Sequence, residues 1–252
     1  MNLRFVLFFL FPFFSNYLGA EVELPTFEEL SKLEKKYTKI ERTCTQRILK
    51  NPVEISSFSS RGDARLFLGD FKGTRMDYKK MIELNPNLEI SHWRLGIAYF
   101  YLSEFKMASR QFEIYHQFDE VDRENGIWRF MSQFQLSGLN KARKGLLRYS
   151  QDDRPPYPWL YSMFAGEISP EDVFDKIKGQ NFPSQYEVRV LFHANLYVGI
   201  FLELTDDEPQ RALNYLAHAT VNQYGRSTGT YMWQVARLHH ARLVRSIQKL
   251  QN

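Results

Sequence analysis

The stretch Trp93-Arg94-Leu95-Gly96-Ile97-Ala98-Tyr99, with Ala108 and Phe112 after it, decides the fold. Leucine, isoleucine and the aromatics recur there at helical intervals. The small residues Gly96 and Ala108 leave room for two antiparallel helices to approach closely, and Phe112 is large enough to fill the space behind them. The same pattern returns on both sides at about 34 residues. It links Thr74, Ala108 and Ala142; Gly62, Gly96 and Phe130; Gly69, Ser103 and Ser137; and Tyr78, Phe112 and Leu146. Small residues hold the helix contact and the turn in the first three sets, and a bulky side chain stands in the fourth.

A period of this length, with Leu-Gly and Tyr in one helix and Ala and Phe in the next, is that of the tetratricopeptide repeat (TPR). The chain therefore reads as all-α, a TPR-type helical solenoid. About three consecutive repeats come first, the third degenerate because Arg129-Phe130 replaces Leu-Gly. Asn85-Pro86 stops the first unit. Beyond Asp152-Asp153-Arg154-Pro155-Pro156 the register breaks into a non-repeat helical insert. Trp159 to Phe164 forms one short helix there, and Ser169-Pro170-Glu171-Asp172 starts another with a cap, a first-turn proline and acids facing the helix dipole. One further repeat-like unit follows, with Asn195-Leu196-Tyr197-Val198-Gly199 in its first helix and Ala212, Leu216 and Ala219 in its second. A half-polar capping helix runs from about Thr230 to Leu250. No segment alternates as a strand does.

Ahead of the array, residues 21–52 predict one amphipathic helix. Thr26 and Glu29 make a capping box, and Asn51-Pro52 ends it. Its apolar stripe, Phe27, Leu30, Leu33, Tyr37 and Ile40, either packs on the first repeat or joins two copies of the chain. Residues 1–20 read as a secretory signal peptide: Arg4, a short apolar run broken by Pro12, and Leu18-Gly19-Ala20 before the polar Glu21. No other membrane-length apolar run is evident, so no stable membrane anchor is expected. The repeat domain spans 55–252.

The charge excludes some functions. A formal net charge of +4 spread among interspersed acids is not the concentrated basic stripe of a nucleic-acid binder. The sequence lacks phosphate loops, dinucleotide-binding glycines, paired cysteines and nucleophile elbows. The histidines are scattered, and the adjacent His239 and His240 read as surface residues. Asp119, Glu120 and Asp122 read as a solvated turn, and Asp206-Asp207-Glu208 as another. Cys44, the one cysteine, reads as a buried apolar-face residue. No metal, cofactor or catalytic residue is implied, and the chain reads as non-catalytic. Acids or histidines brought together in a cleft by the fold would favour an enzyme instead.

Repeats of this kind line a groove with their first helices. In this register the groove carries Ile90, Trp93, Ile97 and Phe100, then Glu124, Ile127, Met131 and Phe134. Apolar residues in a groove need a cover: a partner segment, a subunit, or the chain's own C-terminal half.

The order of parts resembles the NlpI-like family of TPR envelope lipoproteins. The resemblance runs from about Ser57 to Leu243. It rests on the consecutive repeats, on Gln135-Leu136-Ser137-Gly138 through Ala142, on the insert Trp159-Leu160-Tyr161-Ser162-Met163-Phe164-Ala165-Gly166-Glu167-Ile168-Ser169, and on the unit opening at Asn195. It implies a homodimeric adaptor that brings cell-wall hydrolases to a protease. Glu21 stands where the family carries its lipidated cysteine. The expected function is thus a scaffold for an envelope protein or peptide client, periplasmic once its leader is removed, with peripheral membrane association open. The alternatives are a structural homodimer with a self-filled groove and a helical-toroid hydrolase. Sequencing the native protein from its N-terminus should begin at Glu21; recovery of intact Met1 from the cytoplasm would refute export.

Overall fold

A computed structural model describes residues 23–251, other than 152 and 206–208. The signal-peptide reading of 1–20 and the acidic turn at 206–208 lie outside these residues. The structure is all-helical, with no strand among the described residues. Helix α1 (Phe27–Lys50) is followed by α2 (Ile55–Phe67), α3 (Phe71–Leu84), a 3-10 turn (Pro86–Ser91), α4 (Trp93–Tyr101), α5 (Phe105–His116), α6 (Arg123–Ser137) and α7 (Leu139–Lys144). Then come α8 (Tyr157–Ala165), α9 (Pro170–Lys178), α10 (Ser184–Thr205), α11 (Pro209–Val221), α12 (Gln223–Thr228) and α13 (Tyr231–Gln251). The caps form as expected. The Glu29 amide donates to Thr26 Oγ1 at 3.2 Å and the Thr26 amide to Glu29 Oε2 at 2.7 Å. Ser169 and Asp172 make the same reciprocal pair at the start of α9.

Consecutive helices pack as pairs, and one contact recurs in three of them. A Cβ added at Gly62 would lie 2.5 Å from the Tyr78 ring, at Gly96 2.6 Å from Phe112, and at Gly199 2.8 Å from Leu216. The first helix of the pair thus touches the large side chain of the second through bare backbone. Thr74, Ala108 and Ala212 are fully buried on the second helices of these pairs, as Ala142 is on α7. The third pair is different because α7 has only six residues. Phe130 stands where the others have glycine and packs edge-on against Phe164 of the insert, with ring centres 5.0 Å apart.

Helix α13 does not stand at the end of the row as a cap. It packs on α11, yet its side chains reach the first units. Gln234 donates to Tyr37 of α1, Arg237 to the Phe67 carbonyl of α2, and Tyr231 lies edge-on to both Phe67 and Trp93. The reason is legible in its own composition: Met232, Trp233, Val235 and Ala236 are all buried, so the helix needs apolar cover on more than one side.

This return path divides the stripe of α1. Tyr37 is buried against Phe67 and Gln234, Cys44 is buried and free, Leu33 packs on the core, and Ile40 is half-buried. Phe27 at 65% exposure and Leu30 at 38% stay outside. One described helix, α10, is long and apolar enough to cross a membrane, which the reading of the sequence missed because His193 and Asn195 interrupt the run. Its apolar residues from Val190 to Leu202 belong to the buried core.

The turns inside the α2–α3, α4–α5 and α6–α7 pairs each carry a left-handed residue: φ is +83° at Gly69, +60° at Ser103 and +78° at Gly138. The third lies one residue later than the spacing from Ser137 predicts. Ser103 carries a Cβ in a region that disfavours one. Ser103→Gly should therefore stabilise the protein by about 0.5–1 kcal/mol, and Gly69→Ala should destabilise it by about 1 kcal/mol, since nothing but backbone conformation opposes that methyl. Thermal unfolding of both variants is the check; equal melting temperatures would remove the shared turn geometry.

Candidate functional site

The first turn of α6 builds a polar cleft. Asp122 caps the helix, with Oδ1 accepting from the Glu124 amide at 3.0 Å. Glu124, Asn125 and Trp128 then face inward. A cavity of about 260 Å³ opens beside them. Its other walls come from Trp93 of α4, Phe112 of α5, Arg154 of the linker, Arg189 and His193 of α10, Tyr224 of α12, and Thr230, Tyr231 and Met232 around the start of α13.

The floor is a connected network. Tyr197 donates to Glu124 Oε1 and accepts from the Trp128 indole at 3.1 Å. Arg154 pairs with Asp153 at 2.8 Å, stands 3.6 Å from Glu124 and covers the Tyr157 ring at 4.5 Å. Tyr157 meets His193 Nδ1 at 2.8 Å. Burial, reinforced by Glu124, Asp153 and Asp119 against Arg154, pushes the Asp122 carboxyl up to about 7. Burial also raises Glu124, despite bonds from Tyr197 and Tyr157 that favour its charge. Burial, with Arg154 and Arg189 nearby, holds His193 down to about 3, so the ring is neutral at physiological pH.

Asn125 is 3% exposed. Its Nδ2 donates to the Phe112 carbonyl at 2.8 Å, while its Oδ1 is buried with no partner. A buried acceptor left unpaired costs free energy, so such groups are uncommon and point to an absent donor.

The seven apolar groove residues separate on inspection. Ile97, Phe100, Ile127 and Met131 are 0–2% exposed and belong to one continuous core with residues of α10, α11 and α13. They are not an accessible groove of this chain. The chain covers that face itself, through Tyr197 on Trp128, Tyr231 on Trp93 and His239 beside Tyr101. Ile90 is 39% exposed, and Phe134 is half-buried against Phe130. Of the seven, Trp93 alone lines the cleft.

Other expectations are corrected too. Asp122 is not part of a solvated turn but is half-buried at the start of α6 and lines the cleft. His239 is not a surface residue: it is 2% exposed, 3.0 Å from the Tyr101 hydroxyl through Nδ1 and bonded to Glu203 through Nε2. Burial works against the Glu203 charge, but His239 and Arg242 together more than offset it and the carboxyl is lowered. Among the described residues no three His, Cys, Asp or Glu side chains gather to hold a metal ion. Sequence reasoning missed the cleft because its members come from positions 93, 122–128, 154, 189–193 and 224–232. The one available signal was Glu124, a carboxylate placed by the repeat register on an otherwise apolar face.

Asp122 gives the site a pH signature. An acid whose pKa is raised on folding binds its proton more tightly in the folded state. Its ionisation therefore removes stability as pH rises from about 4 to 7. Asp122→Asn keeps a capping side chain without the charge. Relative to wild type, the variant should gain about 1–3 kcal/mol between pH 4 and pH 8; a pH-independent difference in denaturant unfolding would show that Asp122 is not held near 7. No known protein-family model matches the chain, so a functional reading rests on this geometry.

Proposed function

We propose that the protein is a non-catalytic scaffold of TPR type that holds a segment of another protein in the cleft between α4, α6, α10 and α13. The observation that carries this reading is the cleft's composition. Five aromatic residues, Trp93, Phe112, Trp128, Tyr224 and Tyr231, wall a cavity whose floor offers charges of both signs. Aromatic walls supply large contact area at low entropic cost, and the polar floor orients what enters. The repeated close contact of Gly62, Gly96 and Gly199 with a large side chain of the next helix supports the TPR assignment. The apolar run before Glu21 supports export to a bacterial envelope. The client then belongs to that compartment, in keeping with an adaptor that links a protease to cell-wall hydrolases. Two copies meeting through the exposed Leu24, Phe27 and Leu30 are part of the proposal; light scattering that gives the monomer mass at micromolar concentration would remove that part.

A second reading, acid–base catalysis, is favoured by one observation: Asp122 is held at about 7 inside a cleft that also contains Glu124 and His193. Against it, Glu124 is engaged by Tyr197 and Arg154, His193 Nδ1 by Tyr157, and the sole thiol, Cys44, is not among the residues that line this cavity.

Thr230→Trp places a bulky ring in the cavity without removing any member of the floor network. With melting kept within a few degrees of wild type, the variant should capture at least tenfold less client from native envelope extracts. Undiminished capture would place the docking site elsewhere, and a catalytic cleft would instead reveal itself by turnover that Asp122→Asn abolishes.

A further inference from the structure

Three acceptors stand together on the first turn of α6: the carboxylates of Asp122 and Glu124 and the unpaired Oδ1 of Asn125, with Asn125 itself 3% exposed. Asp122, Glu124 and Asn125 line a cavity walled by Trp93, Phe112, Trp128, Tyr224 and Tyr231, and the Asn125 Oδ1 is itself buried. We propose that this cavity takes a cationic side chain of the partner, a guanidinium or ammonium group, seated between the aromatic walls with its N–H donors on the Asp122 and Glu124 carboxylates. This inference rests on the reading of the cleft as a docking site and specifies what enters it.

The chemistry of the occupant follows from what the cavity lacks. The carboxylates of Asp122 and Glu124 that line the cavity are acceptors, so the partner that complements them is a donor. Guanidinium carries five N–H donors and no acceptor, and ammonium carries three. Both are attracted to the faces of Trp and Tyr rings, more strongly where water is excluded. At about 260 Å³ the cavity falls below the roughly 300–1,000 Å³ of small-molecule sites, which suits one long side chain of a larger partner.

The charges facing the cavity agree. Two carboxylates (Asp122 and Glu124) and two guanidiniums (Arg154 and Arg189) line the cavity, and Arg154 is paired with Asp153, which lies outside the lining. Arg154 is already engaged by Asp153 and Glu124 and stands over the Tyr157 ring. Arg189 stands over the Tyr224 ring, 5.8 Å from its centre. An anion would have to displace Arg154 from its partners while facing Asp122 and Glu124. A cation meets those two carboxylates directly. The raised Asp122 carboxyl points the same way, since burial and the neighbouring acids leave its charge under-compensated.

The test uses three capped amino acids as probes: acetyl-arginine methylamide, its neutral isostere acetyl-citrulline methylamide, and acetyl-glutamate methylamide. Binding to the full protein is read from the indole N–H signals of Trp93 and Trp128 in nitrogen–proton NMR spectra, with isothermal calorimetry for affinity. The arginine probe should shift both indoles and bind at least tenfold more tightly than the citrulline probe. Asp122→Asn, which keeps the helix cap, should weaken it at least tenfold with the melting temperature preserved. Arg189→Gln should leave it unchanged or tighter. Equal binding of the citrulline probe, or preference for the glutamate probe with loss in Arg189→Gln, overturns the cationic occupant and leaves the cleft as a docking site for other chemistry. Silence of both indoles towards all three probes overturns the occupant and the docking site together.

Discussion

The structure depends on α13 lying against both ends of the chain. Its buried Gln234 donates to Tyr37 across 197 residues of sequence, and its Tyr231 stacks edge-on against Phe67 and Trp93. In an open row of helical repeats each unit touches only its neighbours, and stability is close to a sum of local terms. Here the last helix fastens onto the first two, so the units share one core. The face of α4 and α6 that would otherwise line a long open groove becomes interior. What is left open is the small cavity where α13 begins, beside the first turn of α6.

That placement also accounts for the polarity of the cleft. The start of a helix presents unpaired amides and favours acidic residues, which is why Asp122 caps α6 and Glu124 follows it. Placed on the surface, these two acids would be ordinary solvated carboxylates. The linker that carries Asp153 and Arg154, together with α10 and the α12–α13 turn, closes over them. The two acids are desolvated, and Tyr157, Tyr197 and Arg154 are drawn in as partners. Cap chemistry dictated by local structure is thereby turned into a charged floor by tertiary packing.

Much of the fold was legible in the sequence because its governing contacts are local. Gly96 against Phe112 and Gly62 against Tyr78 are sixteen residues apart, and a spacing argument finds them. The capping boxes at Thr26 and Ser169 span three residues each. The short third pair was visible as Phe130 in a glycine position, though not its consequence, the packing on Phe164. The path of α13 was not legible. A helix with apolar residues on one broad face reads equally well as an end cap or an interior strut, and periodicity does not say which surface it covers. The candidate site inherits that ambiguity. Trp93 and Glu124 were found from the register, but Ile97, Phe100, Ile127 and Met131 were assigned to a groove that the chain's own C-terminal half fills.

The return of α13 also has a consequence in time. A polypeptide is made from its N-terminus, and local helix pairs form as soon as both members exist. The pairs that begin at Gly62 and Gly96 meet this condition early in synthesis. Tyr37, Phe67 and Trp93 do not, because their covering residues Tyr231 and Gln234 are made last. Contacts of such large sequence separation slow folding. A nascent chain therefore keeps an aromatic face uncovered until its final segment arrives. The cleft, whose walls include Tyr231 and Met232, is the last part of the molecule to exist, so a chain cut short before α13 lacks these two walls of its candidate binding site, whatever its helix content.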